Sequence, residues 1–203
     1  MEPFTTLVSV PTPLVRDNVD TDLIIPAAYL KTVTRKGLGA GAFESLRKRA
    51  DGSPDPASVF NQERYAGSQI LVSGRNFGCG SSREHAAWAL VDLGYRCVIA
   101  ESFADIFASN AFKNGILTVT LEADGLARIT AEAEAGRTVR VDLENETVTT
   151  EDGTVLRFPL DPFRRHCLLN GLDEVSLTLG EHADAIAAFE AAQRRRMPWA
   201  IAG

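Results

Sequence analysis

Two serines and an arginine stand side by side at Ser81, Ser82 and Arg83, just after the glycines Gly78 and Gly80. The glycines let the backbone turn sharply and approach a ligand closely. The hydroxyls can donate and accept hydrogen bonds, and the arginine offers a planar fork of donors that matches a carboxylate. These residue types in this order predict a small anion-binding site.

Two predicted elements must position these residues. Residues 69–73 form a short apolar run with β-branched side chains, which is typical of a buried strand. Alanines and leucines then recur at helical spacing up to Leu93, and Gly94 suits the end of a helix. Ser81 and Glu84 have the spacing of a capping box, so we expect the helix to begin at Ser81. Its first N–H groups and its dipole would then favour an anion in the loop.

The same loop also has a purely structural interpretation. Glycine-rich turns between a strand and a helix are common, and this one lacks the full spacing of a dinucleotide-binding motif or a P-loop. The turn alone therefore favours neither binding nor structure. A further strand at residues 96–100 completes a β-α-β unit. We expect its crossover to be right-handed, with the loop at the carboxyl end of the first strand.

The rest of the chain predicts a mixed α/β fold. Alternating apolar patterns at residues 4–10 and 116–121 predict strands, and Pro11 and Pro13 are expected to end the first of them. Further strands that form an antiparallel meander are predicted at residues 138–143, 147–150 and 155–158, and helices at residues 103–112 (capped by Ser102), 123–135, 162–169 and 184–196. A mobile loop is expected at residues 32–41 and an irregular segment at residues 172–179. We expect one domain over residues 1–203, with helices packed outside the strands.

Composition narrows the class of protein. The net charge is −6 and no long basic run is present, which argues against a nucleic-acid partner. No apolar run approaches the roughly 20 residues that a membrane span needs, and signal-peptide features are absent, so a cytoplasmic protein is expected. The cysteines Cys79, Cys97 and Cys167 are far apart. This chain by itself is therefore not expected to hold a metal or an iron–sulfur cluster.

Four stretches together resemble one family. Residues 78–87 read Gly-Cys-Gly-Ser-Ser-Arg-Glu-His-Ala-Ala, which resembles the signature loop of the swivelling domain in the aconitase superfamily. Residues 17–26, residues 102–107 with Asn110, and residues 163–173 fit the same family. The set resembles the small subunits of bacterial 3-isopropylmalate dehydratases over nearly the whole chain, and it is far more specific than the loop alone.

The resemblance implies a fold, a reaction and a partner. The fold is the three-layer β/β/α swivelling domain, with mixed parallel and antiparallel strands. The reaction interconverts 2-isopropylmalate and 3-isopropylmalate through 2-isopropylmaleate in leucine biosynthesis, by removing water from a dicarboxylate and returning it at the neighbouring carbon. The partner is a large subunit with a [4Fe–4S] cluster whose iron receives the departing hydroxide, while this chain has no cofactor.

The resemblance also implies roles for particular residues. Ser81 corresponds to the catalytic base of the family, and Ser82 and Arg83 correspond to residues that hold a substrate carboxylate. A serine hydroxyl works as a base only if its alkoxide is stabilised, which converging N–H groups and Arg83 would achieve. The substrate-discriminating segment falls on residues 29–32, where Leu30 is the only purely aliphatic side chain. We expect Leu30 to contact the isopropyl group.

Several interpretations stay open. His85 could relay protons or be a hydrogen-bonded structural histidine, and Asp20 and Asp22 could order their loop or meet a partner. Arg16 lies near the place of a second carboxylate-binding arginine in aconitases, without a clear alignment. The chain could also serve a related diacid, as in homoaconitate or citraconate hydration, or be a non-catalytic anion-binding module. The identity of residues 29–32 separates the enzymes, and tight binding of isopropylmalate to the isolated chain would indicate the module.

Overall fold

A computed structural model describes residues 1–32 and 34–199 of the chain. Within these residues the chain forms eight strands and eight α-helices, joined by loops and short 3-10 helices. The strands are β1 (Thr6–Ser9), β2 (Thr12–Leu14), β3 (Ile70–Ser73), β4 (Cys97–Ala100), β5 (Leu117–Thr120), β6 (Val139–Asp142), β7 (Thr147–Thr149) and β8 (Val155–Arg157). The helices are α1 (Thr21–Ile24), α2 (Glu44–Arg47), α3 (His85–Leu93), α4 (Asp105–Lys113), α5 (Ala123–Glu134), α6 (Pro162–Asn170), α7 (Glu174–Glu181) and α8 (Ala183–Arg196).

Two four-stranded sheets form the framework. One sheet is parallel with the strand order β2-β3-β4-β5, and the other is antiparallel with the order β1-β6-β7-β8. Every residue of β3 and β4 is buried, because both faces of the parallel sheet are covered. The predicted meander is confirmed by the antiparallel pairing of β6, β7 and β8.

The side chains of the parallel sheet divide between two cores. Leu71 and Val98 belong to the core that includes α1, α3 and α4, whereas Ile70 and Ile99 belong to the core that includes the antiparallel sheet and α5. Successive side chains of a strand point to opposite faces. A helical layer, the parallel sheet and the antiparallel sheet are therefore stacked in three layers, which confirms the predicted β/β/α fold.

The chain divides into two compact units, residues 1–171 and residues 172–203. The first unit contains both sheets and α1 to α6. The second contains α7 and α8, and none of their residues is buried. The single domain over residues 1–203 stays a prediction. None of the helices in the described part of the chain is long and apolar enough to cross a membrane.

One prediction near the strands is confirmed and one is wrong. The first strand ends before Pro11 and Pro13 as expected, since β1 ends at Ser9, but Thr12–Leu14 then forms a further strand, β2, at the edge of the parallel sheet, where a missing N–H is tolerated. Ser102 does not cap a helix, because α4 begins only at Asp105. The Ser102 Oγ instead accepts a hydrogen bond from the Asn76 N–H at 2.9 Å.

Two other segments are more ordered than predicted. Residues 174–181 form α7, whose first turn is capped by the Asp173 side chain. In the predicted mobile loop, residues 38–40 form a 3-10 helix, while Val33 lies outside the described residues. Gly39 packs so closely on α3 that an added Cβ would lie 2.9 Å from the helix backbone. This contact, which only glycine allows, orders the second half of the loop.

Candidate active site

A small pocket brings most of the predicted site residues together. It opens between α1, the 3-10 helix Ala27–Lys31 and the loop before α3, and its empty volume of about 170 Å³ includes space that is open to solvent. Its walls are formed by Thr21, Asp22, Ile25, Leu30, Ser81, Arg83, His85 and Ala86. Ser81, Arg83 and Leu30 therefore share one pocket, whereas Ser82 is not among the residues that line it.

The loop that carries the serines is held by the segment before α1. The Gly78 N–H donates to the Val19 carbonyl at 2.7 Å, and the Thr21 N–H donates to the Cys79 carbonyl at 2.8 Å. The two segments thus pair like short parallel strands. Gly78 has a φ of 79°, and an added Cβ would lie 2.1 Å from the ring of Phe107. Both the conformation and the space at this position require glycine.

Ser81 is fixed through its backbone. Its N–H donates to Thr21 Oγ1 at 2.9 Å, and its own Oγ accepts a hydrogen bond from the Arg83 N–H at 3.2 Å. Because Oγ is the acceptor in this turn, the hydroxyl proton stays available to a ligand or to a base.

The predicted capping box between Ser81 and Glu84 is wrong. The helix α3 begins at His85, and no side chain caps it. The Glu84 carboxylate accepts a hydrogen bond from Trp88 Nε1 at 3.1 Å and so does not reach back along the chain. His85 and Ala86 nevertheless line the pocket, which places the positive end of the α3 dipole beside Ser81.

Arg83 gives the pocket a positive charge. No acidic side chain in the described part of the chain forms an ion pair with it. The side chain is exposed, although the Asp22 carboxylate also borders the pocket. Ser82 is exposed as well, and its carbonyl accepts a hydrogen bond from Asn110 Nδ2 at 3.2 Å. Since Asn110 belongs to α4, a second helix fixes the backbone on which Ser81 and Arg83 lie.

Leu30 lies half-buried on the 3-10 helix and packs against the core of the helical layer. Its neighbour Tyr29 anchors this short helix, because Tyr29 Oη donates to Glu44 Oε2 at 3.0 Å. The bond to a carboxylate favours the neutral phenol and raises the pKa of Tyr29. The Tyr29 ring also lies so close to Gly41 that an added Cβ there would be 2.6 Å from it.

Apolar side chains form one wall of the pocket. Leu30 contributes to it together with Ile25 and Ala86, both of which are buried. Ser81 and Arg83 line the same pocket. The arrangement therefore suits a small ligand that carries both an anionic group and an apolar substituent.

Sequence reasoning missed Thr21, which is buried and holds the Ser81 N–H through Oγ1. Its one signal in the sequence is its place between Asp20 and Asp22. The Asp20 carboxylate accepts a hydrogen bond from the Leu23 N–H at 2.7 Å and caps α1. The interpretation of Asp20 as a residue that orders its own loop is thereby confirmed.

His85 and Arg16 have different positions relative to the pocket. His85 lines it, with Nε2 at 3.0 Å from the Thr32 carbonyl oxygen, while Nδ1 is buried and has no hydrogen-bond partner among the described residues. Arg16 is not among the lining residues, and its carbonyl accepts a hydrogen bond from the Gly74 N–H at 3.0 Å.

The cysteines do not fit an iron–sulfur cluster. Residues 1–32 and 34–199 contain no group of three or more side chains that could hold a metal ion. Burial raises the pKa of the Cys97 and Cys167 thiols, which disfavours the thiolate that ligates iron. Cys79 is partly exposed in the loop before α3.

Three family models match successive parts of the chain. The model described as Aconitase C-terminal domain matches residues 1–124, and the model described as LeuD_N matches residues 127–162. The third describes the C-terminal domain of the small subunit of 3-isopropylmalate dehydratase, and it matches residues 174–202.

Full-length relatives and a solved structure agree with these matches. The chain is 53% identical to the 3-isopropylmalate dehydratase small subunit of Paracoccus denitrificans, over 98% of this chain and 100% of the relative. It is 52% identical to the protein of the same name from Mesorhizobium japonicum, with the same coverage. The crystal structure of a 3-isopropylmalate dehydratase from Methanocaldococcus jannaschii is similar with a TM-score of 0.65 and 26% identity, over 91% of this chain and 99% of that one.

Identity of 52–53% over 98% of this chain and the whole of each relative, together with the matching fold, shows the family of this chain. The chain belongs to the family of 3-isopropylmalate dehydratase small subunits.

Proposed function

We propose that this chain is the small subunit of a hydro-lyase that interconverts 2-isopropylmalate and 3-isopropylmalate in leucine biosynthesis. The observation that carries the proposal is the pocket in which Ser81, Arg83 and Leu30 meet. A base, a cation and an apolar side chain at one place match a hydroxy-dicarboxylate with a branched apolar substituent.

Ser81 is the proposed base. Its Oγ takes a proton from the substrate carbon beside a carboxylate when water is removed, and returns a proton to carbon when water is added. The positive end of the α3 dipole and the Arg83 guanidinium stabilise the alkoxide form. Its fixed N–H, which donates to Thr21 Oγ1 at 2.9 Å, holds the backbone of Ser81 in one place for both half-reactions.

Arg83 and Ser82 are proposed to bind a substrate carboxylate. The guanidinium can donate two parallel hydrogen bonds to the two oxygens of a carboxylate. No acidic partner in the described residues competes for it. Ser82 precedes Arg83 in the chain, and its exposed hydroxyl can donate a third hydrogen bond.

Leu30 is proposed to select the substrate. An isopropyl group has three more carbons than a hydrogen atom, and burying them at ~0.8 kcal/mol each contributes roughly 2 kcal/mol. This energy corresponds to on the order of 10- to 200-fold preference over an unbranched malate. A third carboxylate, as in homoaconitate, would be disfavoured more strongly, because the wall of Leu30, Ile25 and Ala86 offers it no partner.

The chain is proposed to act only with a large subunit that carries a [4Fe–4S] cluster. The supporting observation is the chemistry of its own cysteines, of which Cys97 and Cys167 are buried thiols rather than exposed ligands. All three cysteines are unpaired, which supports a reducing compartment and hence a cytoplasmic location.

The test is reconstitution of the complex. The chain and a large subunit of the family are purified together, and formation of 2-isopropylmaleate from either isomer is followed by its ultraviolet absorbance. We expect turnover with both subunits and none with this chain alone. A complex that assembles with an intact cluster and hydrates homoaconitate or citraconate, but not 2-isopropylmaleate, would contradict the proposal.

Leu30→Ala tests the substrate class within the same complex. We expect kcat/KM for isopropylmalate to fall about tenfold more than kcat/KM for 2-methylmalate, because the shorter side chain withdraws apolar contact mainly from the larger substituent. An equal loss for both substrates would mean that Leu30 supports the fold and does not contact the substituent.

A further inference from the structure

The segment of residues 29–32, which carries Leu30, is hydrogen-bonded to α3 through a backbone carbonyl and a histidine side chain. The Thr32 carbonyl oxygen lies 3.0 Å from His85 Nε2. A carbonyl can only accept, so Nε2 must carry the proton and donate. His85 is the first residue of α3 and lines the pocket with Leu30. The contact therefore joins the end of the segment to the helix beside Ser81.

A second contact follows one turn further along the same helix face. The His85 and Trp88 rings have centroids 4.7 Å apart, and the Arg35 guanidinium lies over the Trp88 ring at 5.4 Å from its centroid. Residues three apart on a helix are neighbours on its surface. Thr32 and Arg35 are thus both held by one aromatic pair on the first turn of α3.

The other nitrogen of His85 indicates what orients the ring. Nδ1 is buried and has no hydrogen-bond partner among the described residues. A buried polar atom without a hydrogen-bond partner lowers stability. Because Nδ1 makes no such bond, it does not fix the orientation of the ring. The orientation comes from the Thr32 carbonyl on one side and from the Trp88 ring on the other.

We propose that His85 and Trp88 form a clasp that positions Leu30 and thereby sets substrate selectivity; the proposal rests on the proposed function. Tyr29, bonded to Glu44, anchors the segment on one side of Leu30, and the clasp anchors it through Thr32 on the other. Both residues of the clasp are positioning residues. With only one anchor, the apolar wall of the pocket is free to move away from the substrate.

Two substitutions at one position separate the clasp from simple packing. His85→Phe keeps a ring against Trp88 but removes the donor to Thr32, whereas His85→Gln keeps an amide N–H near the place of Nε2. Arg35→Ala loosens the clasp from the exposed side of the loop and leaves the helix unchanged. The first readout is hydrogen exchange of the peptide that covers residues 27–32, with β3 as the internal reference.

We expect exchange in residues 27–32 to rise about five- to tenfold in His85→Phe, which is the loss of roughly one hydrogen bond, and to rise less in Arg35→Ala. His85→Gln should stay near wild type, and exchange in β3 should not change in any variant. Unchanged exchange in both His85→Phe and Arg35→Ala would overturn the clasp, even if the wild-type complex had no activity on isopropylmalate.

The second readout is selectivity in the reconstituted complex. We expect His85→Phe to lower the preference for isopropylmalate over 2-methylmalate by about fivefold, mainly through KM, and His85→Gln to restore it. Equal loss for both substrates, or a selectivity that His85→Gln does not restore, would refute the positioning role. Absence of turnover in the wild-type complex would count against the proposed function and leave the exchange result to decide the clasp.

Discussion

Replacing Ser81 with alanine removes one oxygen atom, and the structure indicates how little of the fold depends on it. The Oγ accepts a single hydrogen bond, from the Arg83 N–H at 3.2 Å, and this bond is exposed to solvent. Water can replace an exposed hydrogen bond, so we expect a loss of about 0.5–1 kcal/mol in the free energy of unfolding. The hydrogen bond to Thr21 Oγ1 is donated by the backbone N–H of Ser81, so it survives the substitution.

The effect on the rate should be far larger. A positioned general base contributes about 10²–10⁴-fold, which is roughly 3–5 kcal/mol of activation free energy. Ser81→Ala should therefore lower kcat by at least about a hundredfold at nearly constant stability. The contrast between the two magnitudes separates a chemical role from a structural one.

Thr21→Val is the matched control. It keeps the Ser81 hydroxyl but leaves the Ser81 N–H without its acceptor at a buried position, which should cost about 1–3 kcal/mol of stability. Its rate loss should be smaller than that of Ser81→Ala, because the hydroxyl that acts as the base is still present. Thr21→Val should therefore lose more stability than Ser81→Ala, whereas Ser81→Ala should lose more of the rate.

The assay combines urea unfolding of the isolated chain with turnover of the reconstituted complex. Assembly with the large subunit is checked first by gel filtration. A Ser81→Ala complex that assembles and keeps kcat within tenfold of wild type would refute the assignment of Ser81 as the base. A loss of several kcal/mol in the unfolding free energy of Ser81→Ala would refute the expectation that little of the fold depends on this hydroxyl.

Three further predictions concern the anion contact, the turn and acid stability. Arg83→Lys should raise KM about tenfold with a smaller change in kcat, because lysine offers a point charge in place of a bidentate fork; an unchanged KM in steady-state kinetics would contradict it. Gly78→Ala should lower the free energy of unfolding by at least about 3 kcal/mol, since its Cβ would lie 2.1 Å from a buried ring at a φ of 79°. Gly67→Ala, at a φ of 73° in open space, should cost only about 1 kcal/mol in the same urea titration; equal losses would exclude the clash. Hydrogen bonds, the Thr150 hydroxyl first, lower the pKa of Asp152 from 3.8 to about 2. The ionised Asp152 carboxylate therefore stabilises the folded state above pH 3.8, and this contribution is lost as the pH falls toward 2. The difference in unfolding free energy between wild type and Asp152→Asn should shrink over that range. A difference independent of pH would contradict the lowered pKa.

The sequence predicted the framework of the site because the signals there are local. The apolar run before Gly74 and the alanine-rich run before Gly94 indicated β3 and α3, and the glycines between them indicated the turn. Positive φ at Gly78 and Gly94 is a property of single residues that a sequence reports directly. The β/β/α fold and the family were implied by the resemblance that four stretches of the sequence carry together.

The local pattern did not predict the start of α3 correctly. Ser81 and Glu84 satisfy the spacing of a capping box, yet Glu84 bonds Trp88 and Ser81 bonds Arg83. Both alternatives are local hydrogen bonds of similar strength to the capping bonds. A tertiary contact decided between them, because the Ser81 N–H donates a hydrogen bond to Oγ1 of Thr21, a residue of a different segment.

By itself the sequence determined the residue types of the site, its strand-turn-helix frame and its family. Only the tertiary structure decided which of these residues meet. Leu30 and Ser81 come together because the segment before α1 pairs with the loop at Gly78, whereas Ser82 is not among the residues that line the pocket and its carbonyl accepts a hydrogen bond from Asn110 of α4. These contacts join residues far apart in the chain, and the energy that selects them comes from packing of the whole helical layer on the parallel sheet, which no local pattern reports.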